Sequence, residues 1–73
     1  MDITKYLVIE LQTNTDGTMG SQVTSFDARD RAENKYHTVL AAASISTKPK
    51  HSAVLMTNEG FVLESKCYHH ETE

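Results

Sequence analysis

Residues 3–13 alternate two sets of side chains: Leu7, Ile9 and Leu11 fall at every second position, with Tyr6, Val8, Glu10 and Gln12 between them. A period of two marks a strand, whose successive side chains point to opposite faces. Asn14, Thr15, Asp16, Gly17 and Thr18 then cluster turn formers, with Asp16-Gly17 as the hairpin signal, and Gly20 gives the returning strand room to bend. Residues 21–26, SQVTSF, hold β-branched residues but few large apolar ones, which suits an exposed edge strand. Phe26 is the exception, placed to staple against the helix that follows.

The period then changes. Across residues 27–46 the apolar positions Ala28, Ala32, Tyr36, Val39, Leu40 and Ala43 follow the three-and-four spacing of one helical face. Asp27 is the expected N-cap, and Asp30 adds negative charge beside the positive helix end. Ser44, Ile45, Ser46 and Thr47 have lower helix preference than the alanines before them, and Pro49 disfavours helical geometry at Lys48, so the helix is expected to end near Ser44 to Ser46. After a polar link, residues 51–57 read as a third strand, with Ala53 and Leu55 on one side and Val54 and Met56 on the other. Asn58, Glu59 and Gly60 make a tight turn. Residues 61–68 read as a fourth strand, with Phe61, Leu63, Ser65 and Cys67 on one face and Val62, Glu64, Lys66 and Tyr68 on the other, and residues 69–73 as a polar tail that frays.

The order ββαββ predicts a single α+β domain over residues 1–73: a four-stranded, largely antiparallel sheet with one helix packed on one face. One helix covers only one face. Simple alternation places Tyr6, Val8, Val54, Met56, Val62 and Tyr68 on the uncovered face, and an exposed apolar patch of that kind marks a partner surface. The expected partner is the protein itself, as a homodimer or higher homo-oligomer, because symmetric self-association is the commonest way to bury such a face.

Length and charge sharpen this. A chain of 73 residues buries only about 60% of its unfolded surface, so association is a natural source of stability. The single cysteine, Cys67, cannot form an intramolecular disulfide, and no amino-terminal hydrophobic run has signal-peptide length; a cytoplasmic location is expected. No stretch approaches the roughly 20 apolar residues of a membrane span. A net charge of −3 and a pI of about 5.7 argue against nucleic-acid binding, which draws on clustered lysine and arginine.

The stretches KYLVIELQTN, AENKYHTVLAAASIS and HSAVLMTNEGFVLES resemble small proteins of prophages and gut Gram-positive bacteria that carry no assigned activity. The resemblance spans nearly the whole chain and implies a phage or mobile-element accessory protein acting inside a bacterial host cell. It transfers no site residue.

Reactive groups are few: His37, His51, Cys67, His69 and His70, with Tyr36 and Tyr68 beside them. Zinc needs three or four such donors converging in a tetrahedron, and the spacings here match no such motif. Cys67 and His69 share a strand face, and Glu33 with His37 is read as a surface pair one helical turn apart. A lone cysteine in line with Phe61 and Leu63 reads as a small buried hydrophobe rather than a nucleophile. With no phosphate-cradling glycine loop and no paired carboxylates, neither catalytic residues nor a cofactor or metal are expected, and the chain reads as a non-enzyme. Two functions follow. The first is a protein-interaction module, probing itself or a host or phage protein. The alternative is an oligomeric binder or sequestering protein for a nucleotide-type ligand, using Arg29, Arg31, Tyr36, His37 and His51.

Overall fold

The computed structural model describes residues 4–70. Ile3 of the predicted first strand and residues 71–73 of the predicted tail lie outside them. Four strands and one helix follow one another as β1 (Tyr6–Thr13), β2 (Met19–Phe26), α1 (Arg29–Ser44), β3 (Lys50–Thr57) and β4 (Val62–His69). The strands form one antiparallel sheet in the order β2-β1-β3-β4, which is the expected α+β arrangement.

Each hairpin closes where glycine permits a positive φ. Gly17 (φ 90°) follows Asp16, whose Oδ1 accepts hydrogen bonds from the Thr18 amide and hydroxyl, and Asn14 donates its amide to the Thr18 carbonyl at 2.8 Å. Those bonds to Thr18 hold the Asp16 carboxyl below its ordinary titration range. Gly60 (φ 98°) closes the second hairpin, with the Gly60 amide donating to the Thr57 carbonyl at 3.0 Å.

The helix starts one residue later than its polar residues suggest. Ala28 takes the N-cap position in extended geometry and makes no side-chain cap, while the Asp27 carboxylate pairs with Lys5 at the start of β1. That pairing, through the Lys5 ammonium, keeps the Asp27 carboxyl below its ordinary range. Asp27 therefore pins the β2–α1 connection to the sheet instead of capping the helix. At the far end Ile45 and Ser46 donate their amides to Ala42 and Ala43, and the polar link to Pro49 begins.

Ala32, Tyr36, Val39 and Ala43 are the buried stripe of α1, and the first three pack with Val8, Ala53 and Leu55 of the sheet. Tyr6, Phe26, Leu40 and Leu63 close around that cluster. The helix begins after Phe26, at the end of β2, and finishes beside β4, where the His70 ring nitrogen Nε2 lies 2.8 Å from the Ala43 carbonyl. It thus crosses the sheet on a diagonal, lying mostly over β3 and β1. His69 and His70, expected in a fraying tail, are instead held: His69 pairs with Lys50, and His70 donates its amide to Pro49 at 2.8 Å.

The diagonal settles which strand face is inside, and it corrects the sequence reading. Val8 is buried at 1% exposure against the helix, Tyr6 packs on the same cluster, and Tyr68 is aligned with the buried His51. These three side chains are on the helix-covered face, so the Leu7, Ile9 and Leu11 set is on the open one. Ala32 and Ala53, both fully buried in that cluster, leave room for the helix to approach the sheet closely on this face. In β4 a register shift sets Leu55 against Glu64 and Met56 against Val62, leaving Leu63 as the extra residue of a bulge. The bulge brings Leu63 to the core while Val62, Ser65 and Cys67 stay on the open face, so strict alternation across residues 61–68 fails there. Phe61, outside the strand, is exposed, and Cys67 is exposed rather than buried.

Candidate functional site

Two regions of the molecule are not explained by the fold alone. The first is the open sheet face. Register pairing aligns Ile9 with Val23 and Val54, Leu7 with Ser25 and Met56, Leu11 with Ser21 and Ser52, and Met56 with Val62. The centre of this face is therefore aliphatic, and its flanks are serines. Lys50 and His69, paired at one end, are its ionisable groups besides the Cys67 thiol. An antiparallel sheet with one solvated face ordinarily alternates apolar inward with polar and charged outward. Here the outward set carries Leu7, Ile9, Leu11, Val54 and Met56, all partly buried by one another, with Val23 and Val62 more than half exposed. A shallow recess of about 320 Å³ between Ser52, Val54, Ser65 and Cys67 breaks the surface on the β4 side.

The second region lies on the helix-covered face at the corner that the diagonal leaves bare. Along β1 the inward side chains change from Tyr6 and Val8 to Glu10 and Gln12 as the helix moves away. His51 on β3, 4% exposed, places Nε2 at 2.7 Å from Glu10 Oε2 and 3.4 Å from Gln12 Nε2, and Gln12 Nε2 is 3.3 Å from the same carboxylate oxygen. The His51 Nδ1 atom is buried without a partner. With its proton on Nε2, the ring donates to Glu10 and leaves Nδ1 as a bare acceptor; a proton on Nδ1 would be a stranded buried N–H, and would leave the close contact with Glu10 unmade.

The sequence-predicted interaction residues divide between these faces. Val54, Met56 and Val62 lie on the open face, whereas Tyr6, Val8 and Tyr68 do not. The residues to add are Leu7, Ile9, Leu11 and Val23. Alternation grouped the first three correctly, and nothing local in β1 showed which group met the helix.

The predicted ligand residues are not brought together. Arg29 and Arg31 are exposed, with Arg29 donating to Glu33 at 2.9 Å, and His37 is exposed beside Tyr36. Glu33 thus takes Arg29 rather than His37. Tyr36 is buried, which raises its phenol above the ordinary value, with Glu64 and Tyr68 adding to the effect. His51 is buried in the Glu10 cluster. No phosphate site is assembled from these groups, and no set of three or more His, Cys, Asp or Glu suited to a metal occurs among the described residues. Among the described residues no helix is long and apolar enough to cross a membrane. Comparison with protein-family models, with curated proteins and with solved structures finds no match to this chain.

Proposed function

We propose that the protein is an interaction module that works as a face-to-face homodimer, two open sheet faces closing into an eight-stranded sandwich with a helix on each outer side. The observation that carries this reading is the aliphatic, nearly charge-free face built by Leu7, Ile9, Leu11, Val54 and Met56. Such a face is self-complementary, because a surface without charge does not repel its own copy, whereas a like-charged one would.

Its dimensions suit the role. Four strands of eight residues make a face of about 19 Å by about 26 Å, or about 500 Å² before side-chain relief is counted. Two such faces together remove about 1,000 Å² or more, the lower bound for a specific interface. Packing at about 10 Å between sheets would let Ile9 and Val54 of each copy interdigitate at the centre. The dimer then presents its helices outward, with Arg29, Asp30 and Arg31 exposed, as the surface open to a host or phage protein. The encounter proposed is one inside a bacterial host cell, the setting that a resemblance to prophage proteins would imply.

Light scattering on a sizing column, run over a range of concentrations, tests the reading. The expected mass is twice that of the 8.2 kDa chain, and Ile9→Lys is expected to halve it while the sheet and helix remain. A wild-type monomer at every concentration would overturn the dimer.

A further inference from the structure

The geometry points to the bare corner of the helix-covered face as a binding site for a small cation rich in N–H donors, a guanidinium or amidinium group, held by the Glu10 carboxylate with the amides of Gln12 and Gln22. This site is separate from the open face and independent of dimer formation.

The corner is a cleft of about 210 Å³ lined by Glu10, Gln12, Gly20, Ser21 and Gln22. At about 30 Å³ per water it holds about seven waters, or a ligand the size of an arginine head group. Glu10 and Gln12 project from β1, and register sets Gln22 opposite Glu10 and Gly20 opposite Gln12. Glu10 is mostly sunk, with 20% of its side chain exposed. Its Oε2 accepts from His51 and Gln12, while its Oε1 receives no hydrogen bond from the described residues. The carboxylate is thereby oriented and only half satisfied. The His51 ring at 2.7 Å fixes the orientation of the Oε2 side and leaves Oε1 open toward the cleft.

Two further facts favour a ligand over a structural role. A domain with so small a core gains little from a buried His–Glu pair, since desolvating such groups offsets most of what they return. The second is Gly20. It lies inside β2, does not adopt a positive φ, and a Cβ built there would meet nothing within 4 Å. Neither backbone geometry nor crowding calls for glycine; what its missing side chain does is leave the cleft open.

The chemistry of the occupant follows from the lining. No lysine or arginine lines the cleft, and its one formal charge is negative, which excludes a phosphate and selects a cation. Carboxylates take planar guanidinium groups with two parallel N–H bonds, and the side-chain oxygens of Gln12 and Gln22, on the same face as Glu10, can accept the remaining donors.

Titration of the ¹⁵N-labelled full chain with methylguanidinium chloride, against sodium chloride at equal ionic strength, tests the site. Saturable shifts are expected at the amides of Glu10, Gln12 and residues 20–22. Gly20→Leu, which fills the cleft and leaves Glu10 and His51 in place, is expected to weaken binding at least ten-fold, as is Glu10→Gln. Glu59→Gln, in the exposed turn between β3 and β4, should bind as wild type does. Shifts that do not saturate, shifts spread over all carboxylates, wild-type binding by Gly20→Leu, or inorganic phosphate acting at the same amides would each overturn the proposal.

Discussion

The two faces of this sheet are made from the same strands and obey opposite rules. Under the helix the buried residues are few: Val8, Ala53 and Leu55 meet Ala32, Tyr36 and Val39, and the same face then turns polar at Glu10, Gln12 and His51. On the other side Leu7, Ile9, Leu11, Val54 and Met56 form a broader aliphatic surface that no element among the described residues covers. Hydrophobicity alone would have sent the helix to the second face. Close approach decided otherwise, because a helix with an alanine seam gains from many short-range contacts with a fitted partner, and large side chains hold the two layers apart.

The sharpest way to break this comparison is to truncate one residue on each face. Leu55→Ala removes a fully buried side chain and is expected to lower stability by about 2–5 kcal/mol, enough to unfold much of so small a domain. Ile9→Ala, measured at concentrations where the chain is monomeric, should cost well under half as much. Equal losses in urea midpoint would mean that the open face is as structurally committed as the covered one.

The polar end of the covered face offers a smaller effect. His51→Leu deletes the donor to Glu10 and is expected to cost about 1–3 kcal/mol, while the double change with Glu10→Leu recovers part of that loss. Thermal melts of the three variants read this directly, and a double variant less stable than the single one would contradict it.

Alkaline pH probes the same face at lower amplitude. Burial raises the Tyr36 phenol, so the folded state favours its neutral form. The sign follows: this contribution is complete below the ordinary tyrosine value of about 10 and is lost as pH rises beyond it. Tyr36→Phe should flatten that loss in melts between pH 9 and 11, conditions chosen to bracket the tyrosine range. The smallest effect is expected outside both faces. Asp27→Ala should leave the helix content by circular dichroism unchanged, since its carboxylate pairs with Lys5 and caps nothing. A fall in helicity would restore the capping role.

Much of this architecture is legible in the residues. The switch from period two to the three-and-four spacing at Ala28 marked the helix, and Asp16-Gly17 and Asn58-Glu59-Gly60 marked the hairpins, because turn and helix preferences act over a few neighbouring residues. Local polarity misled at Asp27, whose partner is Lys5, far back in the chain. The same limit hid the Glu10–His51 contact, which joins residues brought side by side only when β3 inserts next to β1.

The sequence by itself determined which side chains share a face within each of β1, β2 and β3, since alternation along an unbroken strand admits no other grouping. Only the tertiary structure decided which group meets the helix, because a period of two looks the same from either side until another layer is packed against it. The strand order β2-β1-β3-β4, the diagonal of the helix and the bulge at Leu63 belong to that second class. Each depends on how layers fit at close range, and both the aliphatic open face and the Glu10 cleft are consequences of that fit.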